Sequence, residues 1–185
     1  MRFTKYLRAD QDTILRFLAA FGGGSVVLGT SKRARPSFFI YAHTFIREYI
    51  EGSFFKKEDL LMKALEDGGF PADEGPIGGM RNEQNKCRRA AELLLDAAKR
   101  WQAGDEDARA EVGWAASEFT STFRQHLDRL KNLIFPLLEQ TISEEDEHMI
   151  AEGISNIIFE GSMKEGPEKY TRLIEALEEE LSDWK

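Results

Sequence analysis

The chain has 185 residues, 42% of them hydrophobic and 31% charged, and 33 Asp and Glu against 25 Lys and Arg leave a formal charge of −8. That length is the size of one domain, which would bury roughly 70% of its unfolded surface, and the acidic balance excludes general attraction to a phosphate backbone. The longest apolar runs fall far short of the roughly 20 residues of a membrane span and no secretory pattern opens the chain, which reads as cytoplasmic; the one cysteine, Cys87, excludes an internal disulfide, a cysteine zinc site and an iron–sulfur cluster.

Leu7, Ile14, Leu18 and Phe21 fall at helical spacing and run into Gly22-Gly23-Gly24, which predicts a first helix stopping there. Residues 25–35, with the basic cluster Lys32, Arg33 and Arg35, then read as a long, solvated connection. Pro36 precedes a second helix from Ser37 to about Glu66, carried by Phe38, Phe45, Tyr49, Phe55 and Met62 and weakened only by Gly52. Past the break at Asp67-Gly68-Gly69-Phe70-Pro71, a third helix runs from Pro76 to Ala103 with Met80, Cys87, Ala91, Leu94 and Ala98 along one face. Asp105 or Asp107 caps a long fourth helix through Phe119, Phe123, Leu127, Leu130, Leu133 and Leu137, with Gly113 and Pro136 inside it. Ser143 before Glu144, Glu145 and Asp146 is a helix N-terminus, and Pro167 opens a last amphipathic helix with Leu173, Ile174, Leu177 and Leu181. These stripes predict an all-α fold, an antiparallel four-helix bundle over about residues 5–141 with C-terminal helices over about 143–184, in one domain spanning 1–185.

Function in a bundle resides in polar side chains on stripes that should be apolar, because burying them is costly without partners. Gln11 interrupts the first stripe, Asp59 follows Phe55 by one turn on the second, Gln84 lies between Met80 and Cys87 on the third, and His126 lies between Phe123 and Leu130 on the fourth. Three uses of this level are open: a structural polar network, a ligand pocket lined by Gln11, Phe55, Asp59, Gln84, His126 and Leu130, and a metal-independent enzyme in which Asp59 orients His126. A residual metal site would use His126, Asp59 and Glu58, or Glu83. Glu58 and Glu83 are expected to face solvent, since their neighbours occupy the inward stripe.

Further motifs recur along the chain. Leu7-Arg8-Ala9-Asp10-Gln11-Asp12 opens it, Phe54-Phe55-Lys56-Lys57-Glu58-Asp59 lies on the second helix, and Gly75-Pro76-Ile77 leads to Met80 and Glu83-Gln84. Ala103-Gly104-Asp105 forms a turn, and His126 precedes Leu130-Lys131 and Leu133-Ile134-Phe135-Pro136. With these segments the chain resembles the hemerythrin-like proteins with the HHE cation-binding domain over nearly its whole length. The resemblance implies a non-heme di-iron site, built from histidines on all four helices and bridging carboxylates, that binds oxygen or serves sensing and iron-related roles.

The chain departs from that pattern at the ligands. Gln11 and Gln84 stand at histidine positions, Phe54 and Phe55 replace a His-His pair, and Leu130 and Lys131 replace two acids, so that only His126 survives. The other two of the three histidines, His43 and His148, lie about 120° round the helix from Phe55 and beyond the fourth helix. The reading is therefore a metal-free bundle without a cofactor, acting as a small-ligand-binding, regulatory or interaction module rather than an enzyme. Its expected partners are a small molecule or a protein, with no nucleic acid and no membrane, and an outer helix face leaves room for a homodimer. Cys87 reads as a small buried hydrophobe and Trp101, Trp114 and Trp184 as packing residues, while Phe54 marks a partner surface unless the C-terminal helices cover it.

Overall fold

In the computed structural model, which describes residues 1–164, 166 and 168–185, every regular element among those residues is helical. Helix α1 spans Thr4–Leu28. Helix α2 (Pro36–Phe45), a π-helical segment π1 (Ile46–Phe54) and α3 (Phe55–Asp67) follow one another without a break. After α4 (Gly75–Gln102), helix α5 (Ala108–Arg129), a second π-helical segment π2 (Leu130–Ile134) and α6 (Phe135–Thr141) again form one continuous rod. Helices α7 (Glu144–Lys164) and α8 (Glu168–Trp184) complete the chain. Pro167, expected to open the last helix, lies outside the described residues.

The glycine triplet does not end the first helix. Helix α1 passes through Gly22, Gly23 and Gly24 to Leu28, because these glycines serve close approach and not a turn. A Cβ at Gly24 would lie 2.5 Å from Cε1 of Phe38, and one at Gly23 would lie 2.9 Å from Cδ2 of Leu181. The propensity cost of roughly 1 kcal/mol per glycine is offset by the packing that the missing side chains permit. The turns that do need a glycine are those at Gly69, Gly75, Gly104 and Gly166, where φ is +100°, +58°, +108° and +74°.

Neighbouring rods run antiparallel around an aromatic upper core. Phe17 stacks on Phe21 and Phe45, Phe21 meets Phe39 and Phe119 edge-on, and Phe119 stacks on Phe123. Each such ring, fully buried, contributes about 1.5–3 kcal/mol of transfer free energy. The C-terminal helices are not appendages. Helix α7 lies on α3 with Gly153 against Leu60, and α8 lies back over α1 and α2. Ser31 donates to the Trp184 carbonyl at 3.0 Å, Arg33 to the Asp183 carbonyl at 3.1 Å and Arg35 to Glu180 at 3.0 Å. Two cations of the cluster expected to be solvated thus fasten α8. Phe54 is fully buried, and Trp101 and Trp184 are buried too, but Trp114 projects into solvent.

Both π segments have a consequence for register. Along the second rod Phe38, Ala42, Ile46, Ile50, Phe54 and Glu58 are all buried, a step of four residues at every turn. In an ideal α-helix each such step overshoots by about 40°; the wider turn of π1, where the Phe55 N–H bonds the carbonyl of Ile50, absorbs the drift. His126, Leu130, Ile134 and Leu138 repeat the pattern through π2. There Pro136 has no N–H to offer and its ring crowds the preceding turn, which gives a local cause for the wider winding.

Candidate functional site

The step-of-four register carries Glu58, not Asp59, into the core. The inward arc of α3 is centred between Phe54 and Phe55, so Asp59 lies at its margin and is exposed, while Glu58 is fully buried. Helix α4 likewise turns Glu83 and Gln84 inward, and α5 supplies a fully buried His126. The expectation that Glu58 and Glu83 face solvent, and the pairing of His126 with Asp59, are both replaced by this arrangement.

Nε2 of His126 lies 2.8 Å from each carboxylate oxygen of Glu58, and Nδ1 lies 3.2 Å from Oε1 of Glu83. Gln84 donates its Nε2 to Oε1 of Glu58 at 3.1 Å, and Arg129 donates Nε to Oε1 of Glu83 at 2.9 Å. The Arg129 guanidinium lies flat over Gly79, where a Cβ would come within 2.9 Å of Nη1. Two carboxylates against one guanidinium leave one negative charge, which a doubly protonated His126 cancels. Both ring nitrogens then donate, one to each acid.

The electrostatics agree with that balance. Burial opposes charge on His126, but the Glu58 carboxylate, by Coulombic attraction and hydrogen bonding, and Glu83 behind it outweigh the burial and push the imidazole up to about 9. Burial pulls Glu83 the other way, yet its bonds to His126 and Arg129 hold it below the usual carboxylate range. Burial, with Glu58 and Glu83 nearby, pushes the Cys87 thiol up to about 12, so it stays protonated and inert.

Apolar side chains close the level around this network. Phe55 meets the His126 ring edge-on at 5.7 Å, Phe123 lies 5.8 Å away, and Leu130 is fully buried one turn on. Gln11 stands apart: its side chain is half-buried, and its Nε2 is enclosed without a hydrogen-bond partner. Oε2 of Glu83 is also enclosed and unpartnered. Of the six residues expected to line a pocket, the fold thus brings Phe55, Gln84, His126 and Leu130 into the core and leaves Asp59 at its margin, exposed but hydrogen-bonded to Gln84.

A second polar group, not expected from the stripes, ties α1 to the second rod. Lys57, buried beside Glu58, donates to Oδ2 of Asp10 at 2.6 Å, and the Tyr49 hydroxyl donates to Oδ1 of Asp10 at 3.0 Å. Burial, reinforced by Asp10, raises the Tyr49 phenol well beyond its ordinary range. The sequence signal for Glu58 was the four-residue repeat running from Phe38, which a 3.6-residue period hides, and Lys57 lies beside it.

Among the described residues no group of three or more His, Cys, Asp and Glu is arranged to hold a metal ion. A family model described as the hemerythrin HHE cation binding domain matches residues 2–138. No curated protein and no solved structure matches the chain.

Proposed function

The chain belongs to the hemerythrin HHE cation-binding domain family, and we propose that it is a metal-free member, a cytoplasmic interaction module in which a proton on His126 supplies the positive charge that a cation supplies elsewhere in the family. The observation that carries this reading is the bracketing of His126 by Glu58 and Glu83, with Gln84 and Arg129 completing a network that is neutral without a metal. The residues at this level do not fit the family's ions: Gln11, Phe54, Phe55 and Gln84 stand where the resemblance expects imidazoles, and phenyl rings cannot ligate.

A catalytic use of His126 has little support. A general base needs a free lone pair within reach of a substrate proton, whereas this imidazole is fully buried and both nitrogens are engaged. A small-ligand pocket at the same level is likewise disfavoured, because Phe55, Gln84, His126 and Leu130 are buried against the core. That shifts the weight to protein partners recognised by the outer helix faces. No described helix is long and apolar enough to cross a membrane, and the net charge of −8 disfavours nucleic acid.

The test is metal analysis with an optical spectrum on protein produced in iron-supplemented medium, alongside His126→Ala. Traces of iron in both proteins, with no oxo-bridged iron absorption, support the metal-free reading. Stoichiometric iron that disappears in His126→Ala would overturn it.

A further inference from the structure

A groove of about 510 Å³ opens on the outside of the bundle, between the second rod and α4. It shares no residue with the His126 network. The second rod contributes His43, Arg47 and Glu51, and α4 contributes Glu92, Leu95 and Lys99, with Asp96 beside them. The step of four that carries Ile46, Ile50 and Phe54 inward also keeps Arg47 and Glu51 in line with His43, because the wide winding of π1 removes the drift of an α-helix. Helix α4 runs antiparallel, so that Lys99 acts on His43 at one end of the groove and Glu92 acts on Glu51 at the other.

The charges of the groove are sorted into two poles, and neither pole is neutralised from within. Among the described residues Arg47 and Lys99 form no ion pair, and neither do Glu51 and Glu92. The neighbours that could pair with them are engaged elsewhere. Asp96 binds Arg100 at 3.0 Å, while Arg88 donates to Asn85 at 3.1 Å and lies over the Phe55 ring. Burial, then the fields of Arg47 and Lys99, lower the pKa of the half-buried His43, which leaves a neutral imidazole beside two cations. Burial, with Glu92 adding to it against the pull of Arg88 and Arg47, raises Glu51. An anion against Arg47 and Lys99 relieves the first pole, and a cation between Glu51 and Glu92 relieves the second.

We propose that this groove binds a small ω-amino carboxylate, with its carboxylate on Arg47, Lys99 and His43 and its ammonium between Glu51 and Glu92. A simple anion or a simple amine fits less well, since each leaves one pole unpaired and is repelled by it. The span selects the class. Glu51 follows Arg47 by one turn of the rod, a rise of about 6 Å. An α-amino acid carries both charges on one carbon and is too short to bridge the poles. A chain of about four methylenes reaches, and the half-buried Leu95 offers it an apolar contact between them. Both poles are open to water, so binding is weak, with a dissociation constant on the order of 1 mM.

Titration of the full chain with 5-aminopentanoate, followed by NMR of the His43 ring and by calorimetry, tests the proposal. Pentanoate and pentylamine, which each lack one charge, are the comparison ligands. Arg47→Gln and Glu51→Gln each weaken one pole at a position with no ion pair to lose, and circular dichroism matching the parent shows that they fold. The expected result is a saturable shift of the His43 signals, with affinity lowered about tenfold or more for either comparison ligand and in either variant. Absence of saturable binding up to about 50 mM would overturn the proposal. So would pentanoate or pentylamine binding as tightly as 5-aminopentanoate, or binding that survives both variants unchanged. The metal-free reading of His126 is tested separately, by metal content, and does not depend on this groove.

Discussion

Nε2 of His126 stands 2.8 Å from both oxygens of Glu58, with neither side chain exposed to solvent. An imidazolium there satisfies Glu58 directly and Glu83 through its other nitrogen. Its removal would leave two buried acids facing only Arg129 and Gln84.

Stability should therefore fall in alkali. The folded pKa of His126 is raised from 6.5 to about 9. A group raised on folding contributes its full stabilisation below the unfolded value and loses it as pH climbs through the folded value. The loss should fall between pH 6.5 and about 9, and amount to a few kcal/mol, on the order of 1.4 per pKa unit. Urea midpoints measured across this range should drop for the parent, and the drop should vanish in His126→Gln.

Breaking the pair from one side should cost more than replacing it whole. Glu58→Ala strands the imidazolium and His126→Ala strands the acids, each at about 3–5 kcal/mol. Glu58→Leu combined with His126→Phe should recover much of that loss, since a well-packed apolar pair avoids desolvation. A double-mutant cycle in urea measures the coupling, and additive single effects would argue against a shared network.

Asp59 provides the control. Its side chain is exposed and touches the network only through Gln84, so Asp59→Ala should cost no more than about 1 kcal/mol. The alkaline loss should remain, because Glu58 does the pairing.

The glycines of α1 and of its C-cap should split into two classes. Gly24→Ala drives a methyl into the Phe38 ring, where a Cβ would lie 2.5 Å from Cε1, and should cost about 1–3 kcal/mol. Gly29→Ala meets nothing within 4 Å at a φ of −69°, and should be neutral or stabilising by about 0.4–1 kcal/mol. Thermal melts of the two variants separate them.

The helical architecture was legible because Pro36, Pro76 and Ser143 mark starts and the apolar stripes are long. The breaks at Gly68-Gly69 and Gly104 were legible for the same reason, as turns that need positive φ. What misled was a fixed period. Counting four on from Phe55 reaches Asp59, while the wider winding of π1 makes Phe54 the reference and Glu58 the inward acid. His126 and Gln84 lie on helices where the ordinary period holds up to that level, and their burial was accessible to it. Arg129 could not be placed from sequence, because its contact depends on the bare surface of Gly79 on another helix. The triplet at Gly22 misled in the same way, since its meaning lies in Phe38 and Leu181.

The most direct test is a nitrogen-detected NMR titration of the His126 ring in the purified full chain. Both ring nitrogens should carry protons at neutral pH, with the midpoint near 9 and no paramagnetic or metal-induced shift. A neutral tautomer at pH 7, or a ring nitrogen bound to a metal, would contradict the account.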